Sequence, residues 1–182
     1  MIFEALKPDG LFLIKPKIYG DGRGYFLETF RSETFRNNIL KIDFLQDNFS
    51  FSKRHALRGL HYQTANAAQA KLIMAVSGTV LDVAVDLRKD SPTFKQHLAV
   101  ELSSDNHHQL FIPEGFAHGF VVLSDEASII YKCSAYYNPD FERGIRWDDP
   151  GLGIDWNTDH PILSDKDRNL PFLKNIDEAD LF

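Results

Sequence analysis

The sequence predicts an all-β fold in which short antiparallel strands close into a barrel and helices are few. Turn signals recur along the chain, and short apolar runs separate Pro8-Asp9-Gly10, Ser77-Gly78, Asp90-Ser91-Pro92 and Pro113-Glu114-Gly115. Aromatic residues make up 13% of the chain, and broad aromatic side chains favour pleated, half-buried surfaces. Short strands with regularly spaced turns are typical of a sandwich or a barrel.

The clearest strand is predicted over residues 79–87, where side chains alternate with a period of two. One face carries Leu81, Val83, Val85 and Leu87, and the other carries Asp82, Ala84 and Asp86. A strand over 71–76 precedes it, and the Ser77-Gly78 turn joins the two into a hairpin. The face opposite the apolar one therefore carries two carboxylates.

Further strands are predicted over 11–16, 56–63, 97–102, 109–112, 118–123 and 127–136. A short helix is predicted over 33–40 with Ser32 as its N-cap, and the tail from Pro161 is predicted as a loop or a short helix. This pattern indicates a cupin-type antiparallel jelly-roll barrel with a few short helices, whose mouth can hold a small ligand. At 182 residues, the chain fits a single domain over 1–182.

The charge and the cysteine content of the chain narrow the classes of function. With 26 acidic and 20 basic side chains, the net charge of -6 argues against a general binder of nucleic acid or of anionic membranes. The sequence shows neither a signal peptide nor a long apolar span, so we expect a cytoplasmic protein. Cys133 is the only cysteine, which excludes an internal disulfide and predicts a buried strand thiol.

Four ionisable side chains fall on predicted strands. His61 lies in the strand over 56–63, Lys71 opens the next strand, Asp82 lies on the less apolar face of the third, and Tyr131 interrupts an apolar run. A lone strand histidine is usually structural. Buried ionisable groups cost several kcal/mol unless they are paired, so a barrel interior that holds this whole set needs a functional reason.

Metal binding is the first reason to test, because many cupins bind iron, manganese or zinc through closely spaced histidines and a carboxylate. Tyr62 and Gln63 follow His61, so there is no His-x-His pair and no Glu at ligand spacing. His107 and His108 are adjacent and would point to opposite faces of a strand, so we expect both to be solvated loop residues. No catalytic metal is expected.

Acid/base chemistry suits the set better. A neutral His can take a proton from carbon, a Lys ammonium can stabilise the resulting enolate oxygen, and a Tyr hydroxyl can return a proton. Inversion of a carbon requires a group on each face of the planar enolate. A carboxylate bonded to the imidazole would fix its tautomer, and both Asp82 and Asp167 are candidates for that role.

Three long segments stand out as motifs: RGLHYQ at 58–63, GTVLDVAVDLRKDSPTF at 78–94 and IPEGFAHGF at 112–120. Shorter ones lie at 20–24, 46–48, 131–132 and 142–150. Taken in their order along the chain, from about Pro8 to Asp167, these motifs closely resemble those of the dTDP-4-dehydrorhamnose 3,5-epimerase family. Seven consecutive motifs over nearly the whole chain are a specific signal.

The resemblance implies a homodimeric cupin, without metal or cofactor, that acts in dTDP-L-rhamnose biosynthesis. It would epimerise C3 and C5 of dTDP-4-keto-6-deoxy-D-glucose through an enolate, giving dTDP-4-keto-L-rhamnose. By this likeness His61 is the base, Tyr131 is the acid on the other face, and Lys71 holds the C4 oxyanion. Asp167 looks like the partner of the histidine, and Asp82 is then a second carboxylate near Lys71.

For ligand binding, the resemblance points to Arg23, Glu28, Gln46, Asn48, Arg58, His118, Glu142 and Lys166. Arg side chains can grip a diphosphate bidentately, and Glu or Gln can share hydrogens with a pyrimidine edge. Phe26 and Tyr137 are candidates to pack on the thymine or the sugar, or else are ordinary aromatics. The resemblance also suggests that a partner subunit contributes an N-terminal strand.

Strand alternation raises one difficulty, because it places Arg58 and His61 on opposite faces of a single strand. A bulge at Gly59 would re-aim one of the two side chains.

Two other functions stay open. One is a sister enzyme that isomerises the keto group or epimerises C3 alone, and the other is a sugar-nucleotide-binding module without catalysis.

Overall fold

The computed structural model describes residues 1–39, 42–64 and 67–182. The strands of this part are β1 (Ile2–Ala5), β2 (Phe12–Lys15), β3 (Ile18–Asp21), β4 (Gly24–Leu27), β5 (Gln46–Lys53), β6 (Leu57–Gln63), β7 (Lys71–Ser77), β8 (Thr79–Asp86), β9 (His97–Ser103), β10 (Gln109–Ile112), β11 (Phe116–Val122), β12 (Glu126–Cys133) and β13 (Glu142–Gly144). The α-helices are α1 (Ser32–Asn38) and α2 (Asp165–Arg168), and 3-10 helices lie at Pro139–Phe141, Leu173–Asn175 and Glu178–Asp180.

These strands form two antiparallel sheets and a separate ribbon. The first sheet has six strands in the order β1-β2-β10-β7-β12-β5, and the second has five in the order β13-β6-β11-β8-β9. Strands β3 and β4 pair with each other as the ribbon. The prediction of an all-β antiparallel fold with a few short helices is confirmed.

An apolar core lies between the two sheets. The six-stranded sheet contributes Leu13, Ile73, Ala75, Leu110, Ile112, Ala127 and Ile129, and the five-stranded sheet contributes Val80, Ala84, Leu102, Phe116, Phe120 and Val122. Burying apolar surface at roughly 25 cal/mol per Å² makes this layer the main force that closes the barrel. At one end of the barrel, the side chains that point inward are polar instead of apolar.

The outer face of the five-stranded sheet is buried as well. Leu81, Val83 and Val85 of β8 pack there against Leu152 and Trp156 of the C-terminal segment. Strand β8 is therefore covered on both sides. The apolar face predicted from the alternation lies under the C-terminal segment, and the face with Asp82 lies inside the barrel.

The outer face of the six-stranded sheet is covered only in part. Phe35 of α1 packs at one end of this face with Ile14, Leu72 and Phe111. Elsewhere on the same sheet Phe49, Phe51, Val76 and Ile130 are exposed. The register pairs Phe49 with Ile130, so at least two of these apolar side chains are direct cross-strand neighbours.

The predicted strands are present with ends within about two or three residues of the prediction, and the strand over 109–112 matches β10. The sequence interpretation misses β1, β3, β4, β5 and β13. It is also wrong about the start of α1, because the helix begins at Ser32 and its N-cap is Arg31, without a side-chain cap. The predicted helix end at Leu40 lies outside the described residues.

A β-bulge in β6 resolves the difficulty over Arg58 and His61. His61 pairs with His118 of β11, whereas Arg58 pairs with Phe120, so two residues of β6 lie opposite Gly119. Gly59 has a φ of 115°, in the region that favours glycine. The extra residue turns Arg58 to the same side of the sheet as His61, and both side chains line one cavity.

We expect Gly59→Ala to lower the free energy of unfolding by about 3 kcal/mol, because a side chain there meets both backbone strain and a clash. A Cβ on Gly59 would lie 2.7 Å from the Gly119 Cα and from the His118 carbonyl oxygen. Urea unfolding measures the loss. The matched control is Gly22→Ala, since a Cβ at Gly22 meets nothing within 4 Å. Equal stability of the two variants would contradict the bulge.

Candidate active site

Two cavities adjoin at the polar end of the barrel. The tail-side cavity, of about 490 Å³, is lined by Arg58, His61, Lys71, His118, Tyr131 and the segment 162–167, among others. The β5-side cavity, of about 290 Å³, is lined by Gln46, Asn48, Tyr137 and Glu142 among others. His61, Lys71 and Tyr131 line both cavities. These three side chains therefore mark the junction of one cleft.

His61 is held by a carboxylate from the C-terminal segment. Its Nε2 lies 2.6 Å from Oδ1 of Asp167, whose side chain is only 5% exposed. Burial raises the pKa of Asp167, but the hydrogen bonds from His61 and Ser164 outweigh burial and hold the pKa below its usual value. With the carboxylate accepting from Nε2–H, the neutral imidazole carries its lone pair on Nδ1. That is the arrangement of an oriented base.

The C-terminal segment reaches this position through backbone contacts. Ile162 donates to the carbonyl of His55 and accepts from the amide of Leu57, at 2.7 and 3.0 Å, next to the start of β6. Two residues later, Ser164 caps α2 and accepts from the amide of Asp167 at 3.0 Å. The cap sets the first turn of α2 and so directs Asp167 toward His61.

Lys71 enters the cleft from the opposite sheet, at the start of β7. Within the described residues its ammonium has neither a hydrogen-bond nor an ion-pair partner. Burial lowers the pKa of Lys71, and the neighbouring Cys133, Asp82 and Glu142 offset this in part. A desolvated cation without a protein partner is poised to receive an anionic oxygen from a ligand.

Tyr131 also belongs to the six-stranded sheet and packs against the inner core. Burial raises its pKa, with a further upward contribution from Cys133 and a smaller opposing one from Arg58. The phenol therefore stays protonated at neutral pH. Because β6 and β12 belong to different sheets, the imidazole of His61 and the phenol of Tyr131 approach the cleft from its two sides.

A second histidine–carboxylate pair lies beside the first. His118 of β11 is directly opposite His61 in the register, and its Nε2 lies 3.0 and 2.9 Å from the two oxygens of Asp82. Both side chains are buried. Of the two candidate carboxylates for His61, the structure thus brings Asp167 to it and pairs Asp82 with His118. Asp82 also acts through its charge on Lys71.

The polar wall of the β5-side cavity is built from alternate residues of β5. Gln46 donates to Asn48 at 2.9 Å and accepts from the amide of Tyr137 at 2.9 Å. On the tail side, Arg58 donates to Ser52 Oγ at 3.0 Å and to the carbonyl of Phe51 at 3.3 Å. These two hydrogen bonds fix the guanidinium of Arg58 on the wall of the tail-side cavity.

A sequence profile described as dTDP-4-dehydrorhamnose 3,5-epimerase matches residues 5–175 of this chain. The dTDP-4-dehydrorhamnose 3,5-epimerase of Methanothermobacter thermautotrophicus is 51% identical over 164 residues, which cover 88% of this chain and 88% of that protein. The chain belongs to this family.

Solved structures agree with the family assignment. A dTDP-6-deoxy-D-glucose-3,5-epimerase from Legionella pneumophila, in complex with dTDP-4-keto-L-rhamnose, has a TM-score of 0.96 at 46% identity, covering 99% of this chain and 96% of that one. A 3'-monoepimerase from Streptomyces bikiniensis, in complex with dTDP-quinovose, has a TM-score of 0.88 at 38% identity, covering 93% and 87%. The cupin-type fold predicted from the sequence is confirmed.

Arg23 and Glu28, which the family resemblance assigns to the ligand, and the candidate Phe26 lie outside both cavities of the single chain. Arg23 is on the β3–β4 ribbon, where it is paired with Asp21 at 2.6 Å. Glu28 follows the ribbon and is paired with Arg31 at 2.6 Å. Phe26 is 66% exposed on the same ribbon. The structure of one chain does not bring them to the site.

The cavity residues that the sequence interpretation misses include Ser50 and Ser164. Ser50 on β5 lines the tail-side cavity, and its buried hydroxyl has no hydrogen-bond partner within the described part of the chain. The alternation of Phe49 and Phe51 with serines was the available signal. Ser164, which caps α2, lies in a segment without periodicity. His107 is also a correction, because it is buried and packs on the Tyr25 ring at 4.7 Å rather than being solvated.

In the part of the chain that the structure describes, no group of three or more His, Cys, Asp or Glu side chains is arranged to hold a metal ion. In the same residues no helix has the length and apolarity needed to cross a membrane. Cys133 is buried at the end of β12, as the sequence predicts.

Proposed function

We propose that this member of the epimerase family converts dTDP-4-keto-6-deoxy-D-glucose to dTDP-4-keto-L-rhamnose by inverting C3 and C5. The observation that carries the proposal is the junction of the two cavities, where an oriented imidazole and a protonated phenol approach from opposite sheets. Beside them lies the Lys71 ammonium, which has no protein partner among the described residues. Inversion of a carbon next to a ketone needs one group that removes a proton from one face and another that returns a proton to the opposite face.

In the proposed mechanism His61 Nδ1 takes the proton from the carbon next to the ketone, and the electron pair of that C–H bond moves into the enolate. Asp167 stabilises the imidazolium, and Lys71 holds the negative C4 oxygen. Tyr131 then gives its hydroxyl proton to the opposite face of the same carbon. Solvent restores the proton to the phenolate and removes it from the imidazolium, and the cycle repeats at the second carbon.

Arg58 and His118 supply positive charge or hydrogen-bond donors on the tail side of the cleft, and we assign them to the diphosphate and sugar oxygens. Gln46 and Asn48 offer amide groups on the other side. These assignments follow the family resemblance, and the positions of the side chains in the cleft support them.

A homodimer would explain the placement of Arg23, Phe26 and Glu28. Next to the ribbon that carries two of them, an apolar groove of about 390 Å³ includes Tyr25, Leu27, Met74 and Ile130. Tyr25 and Ile130 are exposed there, and clustered exposed apolar side chains mark an interface. In a dimer, the ribbon of one subunit would lie over the cleft of its partner. Sedimentation equilibrium tests the assembly, and a mass of 20.8 kDa would contradict it.

Solvent deuterium exchange tests the activity. With dTDP-4-keto-6-deoxy-D-glucose in D₂O, NMR should show deuterium at both C3 and C5 and the L-rhamno configuration in the product. Exchange at C3 alone would indicate the second candidate, a monoepimerase, which the likeness to the Streptomyces bikiniensis enzyme keeps open. Absence of exchange would leave a sugar-nucleotide-binding module.

We expect the alkaline limb of the pH–rate profile to come from Lys71 and to lie below the usual lysine range. Burial lowers the pKa of Lys71 from 10.5, so its ammonium loses the proton early as pH rises, whereas burial raises the pKa of Tyr131 above 10.0. Lys71→Arg keeps a cation that does not titrate below pH 12, so its residual activity should lack this limb. A limb that persists in Lys71→Arg and disappears in Tyr131→Phe would assign it to the phenol instead.

A further inference from the structure

The inward face of β5 carries a row of polar side chains at the edge of the six-stranded sheet. Asn48, Ser50 and Ser52 alternate along this face. Ser50 lies directly opposite Ile129 of β12, which belongs to the inner core, so both side chains point into the barrel. Tyr131, two residues further along β12, is the diagonal neighbour of Ser50 on the same face. Ser50 therefore forms part of the wall of the tail-side cavity.

The hydroxyl of Ser50 is buried without a partner. Its Oγ is shielded from solvent, and none of the residues that the structure describes is within hydrogen-bond distance and geometry of it. Burying an unpaired hydroxyl costs free energy, and buried polar groups in folded proteins are nearly always paired. Ile129 on its own sheet and Phe120 across the cavity are apolar. A polar group that enters the cavity would supply the missing hydrogen bond.

Most other polar groups of the tail-side cavity already have partners. Three of them are held by side chains at 2.6 to 3.0 Å: His61 by Asp167, His118 by Asp82, and Arg58 by Ser52. Lys71, Tyr131 and Ser50 differ, because within the described residues their polar atoms have no hydrogen-bond partner. The mechanism proposed above employs the Lys71 ammonium and the Tyr131 phenol. It leaves the Ser50 hydroxyl without a role.

The chemistry of the sugar narrows what this hydroxyl can meet. The hexose of dTDP-4-keto-6-deoxy-D-glucose has a ketone at C4 and a methyl group at C6, so its free hydroxyls are those on C2 and C3. The C3 hydroxyl changes direction when C3 is inverted. C2 does not react, so its hydroxyl can keep one protein partner through both inversions. A serine hydroxyl can donate to such a group or accept from it.

We propose that Ser50 Oγ binds the C2 hydroxyl of the hexose and makes the enzyme selective for 2-hydroxy over 2-deoxy substrates. The inference rests on the proposed function and adds a specificity-determining residue to it. The selectivity arises from pairing, because a 2-deoxy sugar would fill the cavity and leave the buried serine hydroxyl without a hydrogen bond.

The test compares wild type with Ser50→Ala on two substrates, dTDP-4-keto-6-deoxy-D-glucose and dTDP-4-keto-2,6-dideoxy-D-glucose. Wild type should have a kcat/KM about tenfold higher for the 2-hydroxy substrate, because the 2-deoxy sugar leaves Ser50 unpaired. In Ser50→Ala the sugar hydroxyl becomes the unpaired group, so kcat/KM for the 2-hydroxy substrate should fall about tenfold. The 2-deoxy substrate should react with Ser50→Ala at least as fast as with wild type, because an apolar pair then replaces the hydroxyl pair.

A ligand that cannot react separates this inference from the proposed function. dTDP-quinovose carries the C2 hydroxyl but has a hydroxyl instead of the ketone at C4, so it forms no enolate. Calorimetry should show its Kd raised about tenfold in Ser50→Ala, with the Kd for dTDP unchanged. If wild type exchanged no deuterium at C3 or C5, the proposed function would fail, whereas these Kd values would still report on Ser50.

Ser128→Ala is the matched control. Ser128 lies opposite the exposed Phe51, on the outward face of the same strand pair, and lines neither cavity. The variant should therefore keep the wild-type ratio of kcat/KM for the two substrates. The Tm of Ser50→Ala should not fall below that of wild type, because its hydroxyl has no partner to lose within the described residues. A clear drop in Tm would reveal a structural role and would count against the proposal.

Three further outcomes would overturn the assignment of Ser50. Equal losses of kcat/KM on both substrates would make Ser50 a positioning group for the neighbouring Tyr131 phenol. A raised Kd for dTDP itself would move the contact from the hexose to the nucleotide. If Ser50→Ala leaves both the kcat/KM ratio and the Kd for dTDP-quinovose unchanged, the hydroxyl pairs with water alone.

Discussion

His61→Asn is expected to lower kcat for epimerisation by about 10²- to 10⁴-fold while leaving the Kd for dTDP nearly unchanged. The imidazole is the base that we propose at the junction of the two cavities, and an amide in its place has no lone pair basic enough to take a proton from carbon. The nucleotide contacts proposed for Gln46, Asn48 and Arg58 stay in place. Coupled assay of product and calorimetry with dTDP measure the two quantities.

His160→Asn is the matched control for this prediction. His160 is exposed in a loop and belongs to neither cavity, so its replacement should leave turnover at the wild-type level. Near-normal rates in His61→Asn would move the base to another group of the cleft. The neighbouring His118 would then be the first to examine, because it lies opposite His61 on the same face of the sheet.

Much of the barrel follows from local alternation in the sequence. The period of two over 79–87 predicts both faces of β8, including the inward face of Asp82, because a strand between two apolar layers must segregate its side chains. The hairpin at Ser77-Gly78 and the strand over 109–112 follow from the same reasoning. The sequence can suggest a bulge at Gly59, because glycine tolerates a positive φ. It cannot establish the bulge, because a bulge depends on the partner strand as well.

Local sequence patterns do not show which elements that are distant in the chain come into contact. Alternation and composition leave both Asp82 and Asp167 as partners of His61, and only the packing of the C-terminal segment brings Asp167 to it. The resemblance to the family names Asp167 correctly as the neighbour. It does not indicate that Lys166 and Glu142 bind each other, because a motif records residue types and not their contacts.

Strand β5 is a different kind of omission. Its outward positions carry exposed Phe49 and Phe51, and its inward positions carry polar Asn48 and Ser50. A rule that places apolar side chains inside would reverse this strand. The inversion has a physical reason, since the inward face lines a wet cleft and the outward face belongs to the surface that we propose is covered in a dimer.

Tyr131→Phe is expected to separate proton exchange from inversion. Formation of epimerised product should fall by about 10²- to 10³-fold, because the phenol is the group proposed to reprotonate the second face of the enolate. His61 and Lys71 remain, so the enolate still forms. Imidazolium that has exchanged with D₂O then returns deuterium to the face from which the proton left.

Recovered substrate should therefore carry deuterium at C3 or C5 with retained configuration, as NMR of the sugar protons would show. The fold should tolerate the change, since within the described residues the Tyr131 hydroxyl has no hydrogen-bond partner and the ring packs on the inner core. Tyr136→Phe, on an exposed ring, is the control and should behave as wild type. If Tyr131→Phe loses both deuterium exchange and inversion, the phenol is needed to form the enolate. Product formed at the wild-type rate would mean that water, rather than Tyr131, supplies the second proton.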